Sequence, residues 1–209
     1  MNRVDMSSVA ERVLKVNEYF YSLQGEGARQ GVPTIFIRLS GCNLSCSFCD
    51  TDFDSYEALS LDELSSRIAS YPCKSIVWTG GEPTLQLDSA IVAYFKDLGY
   101  YQAIETNGMQ SVPEGIDYIS CSPKHRNVSM LHKFFSQGVS EWRFLIEPEG
   151  ALPIPKEQLP KALHYCISPV FDLTTDRPNP IALQRCIDYC LEHSQWRLSL
   201  QIHKLIGIE

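Results

Sequence analysis

Ser75-Ile76-Val77-Trp78-Thr79-Gly80-Gly81-Glu82-Pro83 is the stretch that decides the fold: an apolar run, a double-glycine turn with a carboxylate, and a proline at the threshold of the next element. Four unbroken apolar or β-branched residues fit a strand covered on both faces, and the apolar spacing across Leu87 to Leu98 that follows is helical. Strand, tight turn and helix in that order make one βα unit.

The same alternation extends in both directions. Strands are predicted at Val16–Leu23, Thr34–Leu39, Gln102–Thr106, Tyr118–Cys121, Trp142–Glu147, His164–Ile167 and Arg197–His203. Ser60, with Glu63 three residues later and Leu61, Leu64 and Ile68 at helical spacing, opens a helix through a capping box. Ile181–Glu192 is helical by period, and Met130–Phe135 reads as a short helix. Right-handed βα crossovers give an α/β protein with a mainly parallel sheet. A closed eight-fold barrel takes about 250 residues, so a chain of 209 is expected to form an incomplete, TIM-like βα barrel, a single domain over residues 1–209. The Pro148–Pro160 stretch reads as a surface excursion.

Composition sets further bounds. With 44% hydrophobic and 21% charged residues the chain is ordinary globular protein. Met1–Lys15 has no apolar core of a signal peptide, and no run approaches the roughly 20 apolar residues of a spanning helix, so a cytoplasmic protein without membrane contact is expected. A net charge of -7 argues against a broad nucleic-acid surface. Of eight cysteines, Cys73, Cys121, Cys166, Cys186 and Cys190 are dispersed, which suits small buried apolar side chains better than a disulfide framework.

The other three cysteines share one loop, Gly41-Cys42-Asn43-Leu44-Ser45-Cys46-Ser47-Phe48-Cys49-Asp50-Thr51. A structural zinc is closed by four protein ligands, whereas three thiolates can hold a 4Fe-4S cluster and leave one iron open for chemistry. Spacing alone leaves zinc open, with Cys73 or a histidine as fourth ligand. The glycines of Thr79-Gly80-Gly81-Glu82-Pro83 let backbone approach a ligand, and Glu82 adds a carboxylate at a strand's C-terminal end, where α/β folds place their sites.

The cysteine loop and this Gly-Gly-Glu-Pro element together resemble the radical S-adenosylmethionine (SAM) enzymes. The turn Ser22-Leu23-Gln24-Gly25-Glu26-Gly27, the segments Glu105-Thr106-Asn107-Gly108 and Ser122-Pro123-Lys124, and the late run Leu200-Gln201-Ile202-His203-Lys204 narrow the resemblance to the 7-carboxy-7-deazaguanine synthases, from about Asn17 to the C-terminus. That family contracts 6-carboxy-5,6,7,8-tetrahydropterin to 7-carboxy-7-deazaguanine with loss of ammonia, in queuosine and deazapurine biosynthesis. The resemblance implies a 4Fe-4S cluster on Cys42, Cys46 and Cys49, SAM on the open iron, and Mg²⁺ on Thr51. SAM contacts are implied for Phe48, Cys49, Asp50, Gly81, Ser122, Pro123, Lys124, Ile167, Ser168, Pro169 and Val170, with Ser168 standing where relatives often carry Gln. Substrate contacts are implied for Leu23, Gln24, Gly25, Arg38, Thr79, Glu105, His203 and the terminal Glu209. A flavodoxin-like reductant and a homodimer are family expectations. Rival readings are a radical activase of a partner protein, which would not need the Ser22–Gly27 turn, and a zinc or cluster adaptor, which would not need Gly80–Pro83.

Overall fold

The computed structural model describes residues 6–46 and 55–208, which group into two compact units. The first comprises Met1–Ser22, Pro33–Glu105 and Val112–Tyr118; the second comprises Leu23–Val32, Thr106–Ser111 and Ile119–Glu209. Phe48, Cys49, Asp50, Thr51 and Glu209 lie outside the described residues.

The first unit contains α1 (Met6–Ala10), β1 (Val13–Leu23), β2 (Pro33–Leu39), β3 (Glu57–Ser60), α2 (Leu61–Ile68), β4 (Ser75–Gly80), α3 (Ser89–Asp97) and β5 (Tyr101–Thr106). Its strands run in the order β5-β4-β2-β1-β3. β2, β4 and β5 are parallel, with Leu39 opposite Gly80 and Trp78 opposite Ile104, and β3 closes antiparallel on β1. Ile76, Val77 and Trp78 are all buried, as expected of a parallel strand covered on both faces. Each such side chain contributes about 1.5–3 kcal/mol on burial. The Trp78 indole donates to Gln102 Oε1 (3.0 Å) and Gln102 Nε2 donates to Val92 O (2.8 Å), so the indole and the Gln102 amide are satisfied within the core.

The predicted capping box is present. Ser60 N (2.8 Å) and Ser60 Oγ (2.9 Å) donate to Glu63 Oε2 and hold the Glu63 carboxyl below its ordinary range, while Glu63 N donates back to Ser60 Oγ (3.2 Å). α3 starts at Ser89 rather than Leu87, because Asp88 is its cap: Oδ1 accepts from Ala90 N and Ile91 N at 3.0 Å. Glycine in the left-handed region at Gly99 follows its end.

The second unit contains β6 (Tyr118–Cys121), α4 (Val128–Phe134), β7 (Val139–Ile146), β8 (Ala162–Pro169), the small hairpin β9 (Phe171–Asp172) and β10 (Arg177–Pro178), α5 (Pro180–Glu192), β11 (Arg197–Leu198) and α6 (Ile202–Ile206). β6, β7, β8 and β11 are parallel neighbours in that order. Trp142 packs edge-on against Phe135, and Phe144 against Trp196.

Two expectations are corrected here. The strand predicted over Arg197–His203 pairs only at Arg197 and Leu198; Ile202 N then donates to Gly25 O (3.1 Å) and the chain turns into α6, closed by Gly207 at φ 71°. Leu198, Leu200 and Ile202 mimic a period of two, while Ile202, Leu205 and Ile206 carry the helical spacing that prevails. The Pro148–Pro160 stretch is only partly a surface excursion, since Ile154 and Leu159 are buried and Pro160 O accepts from the Trp142 indole (2.8 Å). Cys121, Cys166 and Cys186 are buried as expected, and burial pushes the thiols of Cys166 and Cys186 up to about 12, so both stay protonated and unreactive. Among the described residues no helix is long and apolar enough to cross a membrane.

Candidate active site

In the first unit the site is built on the C-terminal ends of β2 and β4. Past the Leu39–Gly80 register, Gly81 N donates to Leu39 O and Glu82 N donates to Gly41 O, both at 2.9 Å. The double glycine is required there. Gly80 sits at φ 104°, and a Cβ on Gly81 would overlap Gly41 O. The base of the cysteine loop is therefore seated directly on the Gly80–Glu82 backbone. Gln86 fixes the same place from below: its Nε2 donates to Ser40 O (2.7 Å) and its Oε1 accepts from Lys15 N (2.8 Å). Nothing in its sequence context marks Gln86.

Cys42 and Cys46 follow on this loop, both half-buried, and Cys42 carries a free thiol. Two soft sulfur donors on a loop cradled by glycine backbone fit thiolate ligation of an iron-sulfur cluster. Cys73 does not fit as a fourth zinc ligand. Its Sγ accepts from Ser75 N (3.3 Å) before β4 begins, whereas Gly41 meets Gly81 after β4 ends. Six residues of strand separate the two places, roughly 20 Å at 3.3 Å per residue.

Glu82 differs from its expected role. It is fully buried, and Oε1 accepts from Thr84 N (3.1 Å) and Thr84 Oγ1 (2.7 Å), so its carboxylate caps the 3-10 turn Pro83–Leu85. Thr79, half-buried, stands in register with Arg38. Arg38 Nε lies 2.7 Å from Glu18 Oε1, with its guanidinium over the Phe20 ring. Glu105 is half-buried near the end of β5.

In the second unit, Leu23 ends β1 and the chain turns: Gln24 N donates to Val32 O (2.9 Å) and Gly31 N to Gln24 O (2.8 Å), closing a loop. Gln24 is buried and its Oε1 accepts from Glu26 N (3.1 Å). The His203 ring lies against Gly25 so closely that a Cβ on Gly25 would overlap Nδ1. These two residues, some 180 positions apart in the chain, are thus brought together. Position 203 is on α6, not on a strand.

The Thr106–Gly108 and Ser122–Lys124 segments interlock. Ser122 N donates to Thr106 O (2.8 Å), Lys124 N to Asn107 O (3.2 Å) and Lys124 Nζ to Ser122 Oγ (3.0 Å). His125, which the sequence gave no reason to select, bridges both: Nδ1 accepts from Asn127 N (3.1 Å), which leaves Nε2 to donate to Gly108 O (3.2 Å). Ile167, Ser168 and Pro169 end β8, and Val170 follows. Ser168 is buried, and its hydroxyl has no hydrogen-bond partner among the described residues.

Known proteins resemble this chain along nearly its whole length. Residues 36–132 match the Radical SAM superfamily. The chain is 40% identical to a 7-carboxy-7-deazaguanine synthase of Bacteroides thetaiotaomicron, over 93% of this chain and 98% of that protein. It is 38% identical to the enzyme of the same name from Haemophilus influenzae, over 92% of each. The crystal structure of QueE from Escherichia coli superposes with a TM-score of 0.70 at 25% identity, covering 94% of this chain and 98% of that one. The fold class is accordingly α/β, the incomplete TIM-like βα barrel of the radical SAM type. Similarity of this degree along nearly the whole length places the chain in the 7-carboxy-7-deazaguanine synthase family of radical SAM enzymes.

Proposed function

We propose that this protein contracts the ring of 6-carboxy-5,6,7,8-tetrahydropterin to 7-carboxy-7-deazaguanine with loss of ammonia. The observation that carries the reading is 40% identity to an enzyme named for that product, matched over 93% of this chain. When bound, a 4Fe-4S cluster with SAM supplies one-electron chemistry, the removal and return of a substrate hydrogen atom.

The protein's part is to bind, orient and shield. Cys42, Cys46 and Cys49 hold the cluster, and the Gly80–Gly81 backbone offers carbonyls to the methionine end of SAM. Phe48, Asp50, Ser122, Pro123, Lys124 and Ile167–Val170 complete the SAM contacts, with the buried Ser168 hydroxyl available for a hydrogen bond. Arg38 takes the substrate carboxylate as a bidentate partner, sharing or exchanging the Glu18 carboxylate it now faces. Gln24 and the backbone of Leu23 and Gly25 read the pterin edge, His203 packs beside them, and Glu105 and Thr79 add an acceptor and a hydroxyl. Thr51 is the Mg²⁺ ligand and Glu209 contributes a carboxylate.

The test is an anaerobic assay of iron-reconstituted protein with SAM, dithionite, Mg²⁺ and the carboxylated pterin, read by mass spectrometry. Formation of 7-carboxy-7-deazaguanine that needs every component is expected. SAM cleavage without that product would overturn the substrate, and neither cleavage nor bound iron would overturn the reaction class.

A further inference from the structure

The second unit contains a buried ionic network that none of the site residues above includes. Glu141 and Arg143 stand two apart on β7, hence on the same face, and are 1% and 7% exposed. Arg143 donates to Glu141 Oε1 (3.1 Å), and its other terminal nitrogen lies 3.3 Å from Glu26 Oε2. Glu141 Oε2 accepts from Ala28 N (2.7 Å). Ser199, itself buried just after β11, accepts from Gly27 N (2.8 Å). Gly27 is left-handed at φ 69°, and a Cβ there would overlap the Glu141 carboxylate.

A carboxylate this deep is costly unless it is paired and hydrogen-bonded, and removing one partner leaves the other charge stranded. Here the partners are not simply one another. Two of them belong to the turn that begins at Gln24 and Gly25: the Glu26 side chain and the Ala28 amide. The network therefore grips the turn at Glu26, Gly27 and Ala28, while Ile202 N and the His203 ring hold Gly25.

We propose that Glu141 and Arg143 are positioning residues, holding the Gln24–Gly27 turn in the one conformation that presents Gln24 and Gly25 to the pterin. This rests on the functional reading above for the identity of the ligand, but not for the anchoring itself. Glu141 fixes the turn's backbone through Ala28 N, and Arg143 fixes its side-chain orientation through Glu26. An apolar pair of equal volume would fill the same space without fixing either.

Two variants test it. Glu141→Gln keeps the shape and an acceptor but removes the charge facing Arg143, and Ser199→Ala releases only Gly27 N. In the iron-free protein, amide hydrogen exchange at Gly27 and Ala28 is expected to quicken by roughly tenfold or more in Glu141→Gln and less in Ser199→Ala, with β4 and β5 unchanged. In the reconstituted enzyme the KM for the pterin should rise by about tenfold while the KM for SAM and SAM cleavage without pterin stay as in the wild type. Unchanged exchange at the turn in both variants would overturn the proposal. So would equal losses toward pterin and SAM, which mark a general structural role. If wild-type protein formed no deazaguanine, the functional reading would fall, and the exchange measurement would still decide the anchoring.

Discussion

The two units seat their site loops by different means. In the first, the main support is backbone on backbone: Gly81 lies against Gly41 with no room for a side chain between them, and the peptide-to-peptide bonds are joined by the Gln86 side chain on Ser40 O. In the second, backbone hydrogen bonds hold Gln24 and Gly25, while residues 26–28 of the turn are held by the side chains of Glu141, Arg143 and Ser199, and the His203 ring packs on Gly25. Peptide groups in register with a parallel sheet cannot retreat without unpairing strands, so the Gly41 end of the loop is held firmly. Side chains can change rotamer at modest cost, so the turn is fixed only as firmly as its partners are.

The largest effect expected is at Cys42. Cys42→Ala should abolish turnover and the cluster's visible absorbance, yet leave the melting temperature of the iron-free protein nearly unchanged, because the side chain is only half-buried. Next comes Gly81→Ala, whose methyl group meets the Gly41 carbonyl. Loss of about 3 kcal/mol in urea unfolding, with loss of SAM cleavage, is expected from so tight a backbone clash. Gly25→Ala sharpens the contrast because its methyl group meets a side chain instead. The imidazole can swing aside, so stability should fall by only about 1 kcal/mol, while the KM for the pterin rises and that for SAM does not. A stability loss at Gly25 as large as that at Gly81 would break the distinction.

The smallest effect concerns an exposed ion pair. The Arg12 guanidinium, at 2.7 Å, holds the Asp88 carboxyl below its ordinary range. Because the folded value is the lower one, this contribution is present in full above the unfolded value of about 3.9 and disappears as pH falls through the folded value. Asp88→Asn keeps an acceptor for the α3 cap and loses the ion pair, so urea unfolding at neutral pH should show a loss of about 0.5 kcal/mol. The difference should vanish in strong acid.

The same division explains what could be read from the sequence. Strands such as Thr34–Leu39 and Tyr118–Cys121, and the Ser60 cap, are local signals and are found within a residue of where they were expected. The Gly80–Gly81 pair announces a close approach because only glycine permits one. The network of Glu141, Arg143 and Ser199 was not legible, because a Glu and an Arg flanking Trp142 look like the polar alternation of a half-exposed strand. Their meaning lies in Glu26 and Ala28, more than a hundred residues away. Gln86 and His125 were missed for a related reason: each binds main-chain atoms, which any sequence provides. α6 was read as strand because a short run satisfies both periods, and the choice was made by Gly25 O accepting from Ile202 N.

The inward carboxylate of Glu82 bears on transplantation of the site. A designer moving Thr79–Pro83 to another βα scaffold would be tempted to regard Glu82 as part of the reactive chemistry and to leave Thr84 behind. Without the Thr84 amide and hydroxyl, the graft would carry a buried anion that has lost two of its donors. The portable unit is therefore the strand end together with its first 3-10 turn, through Leu85.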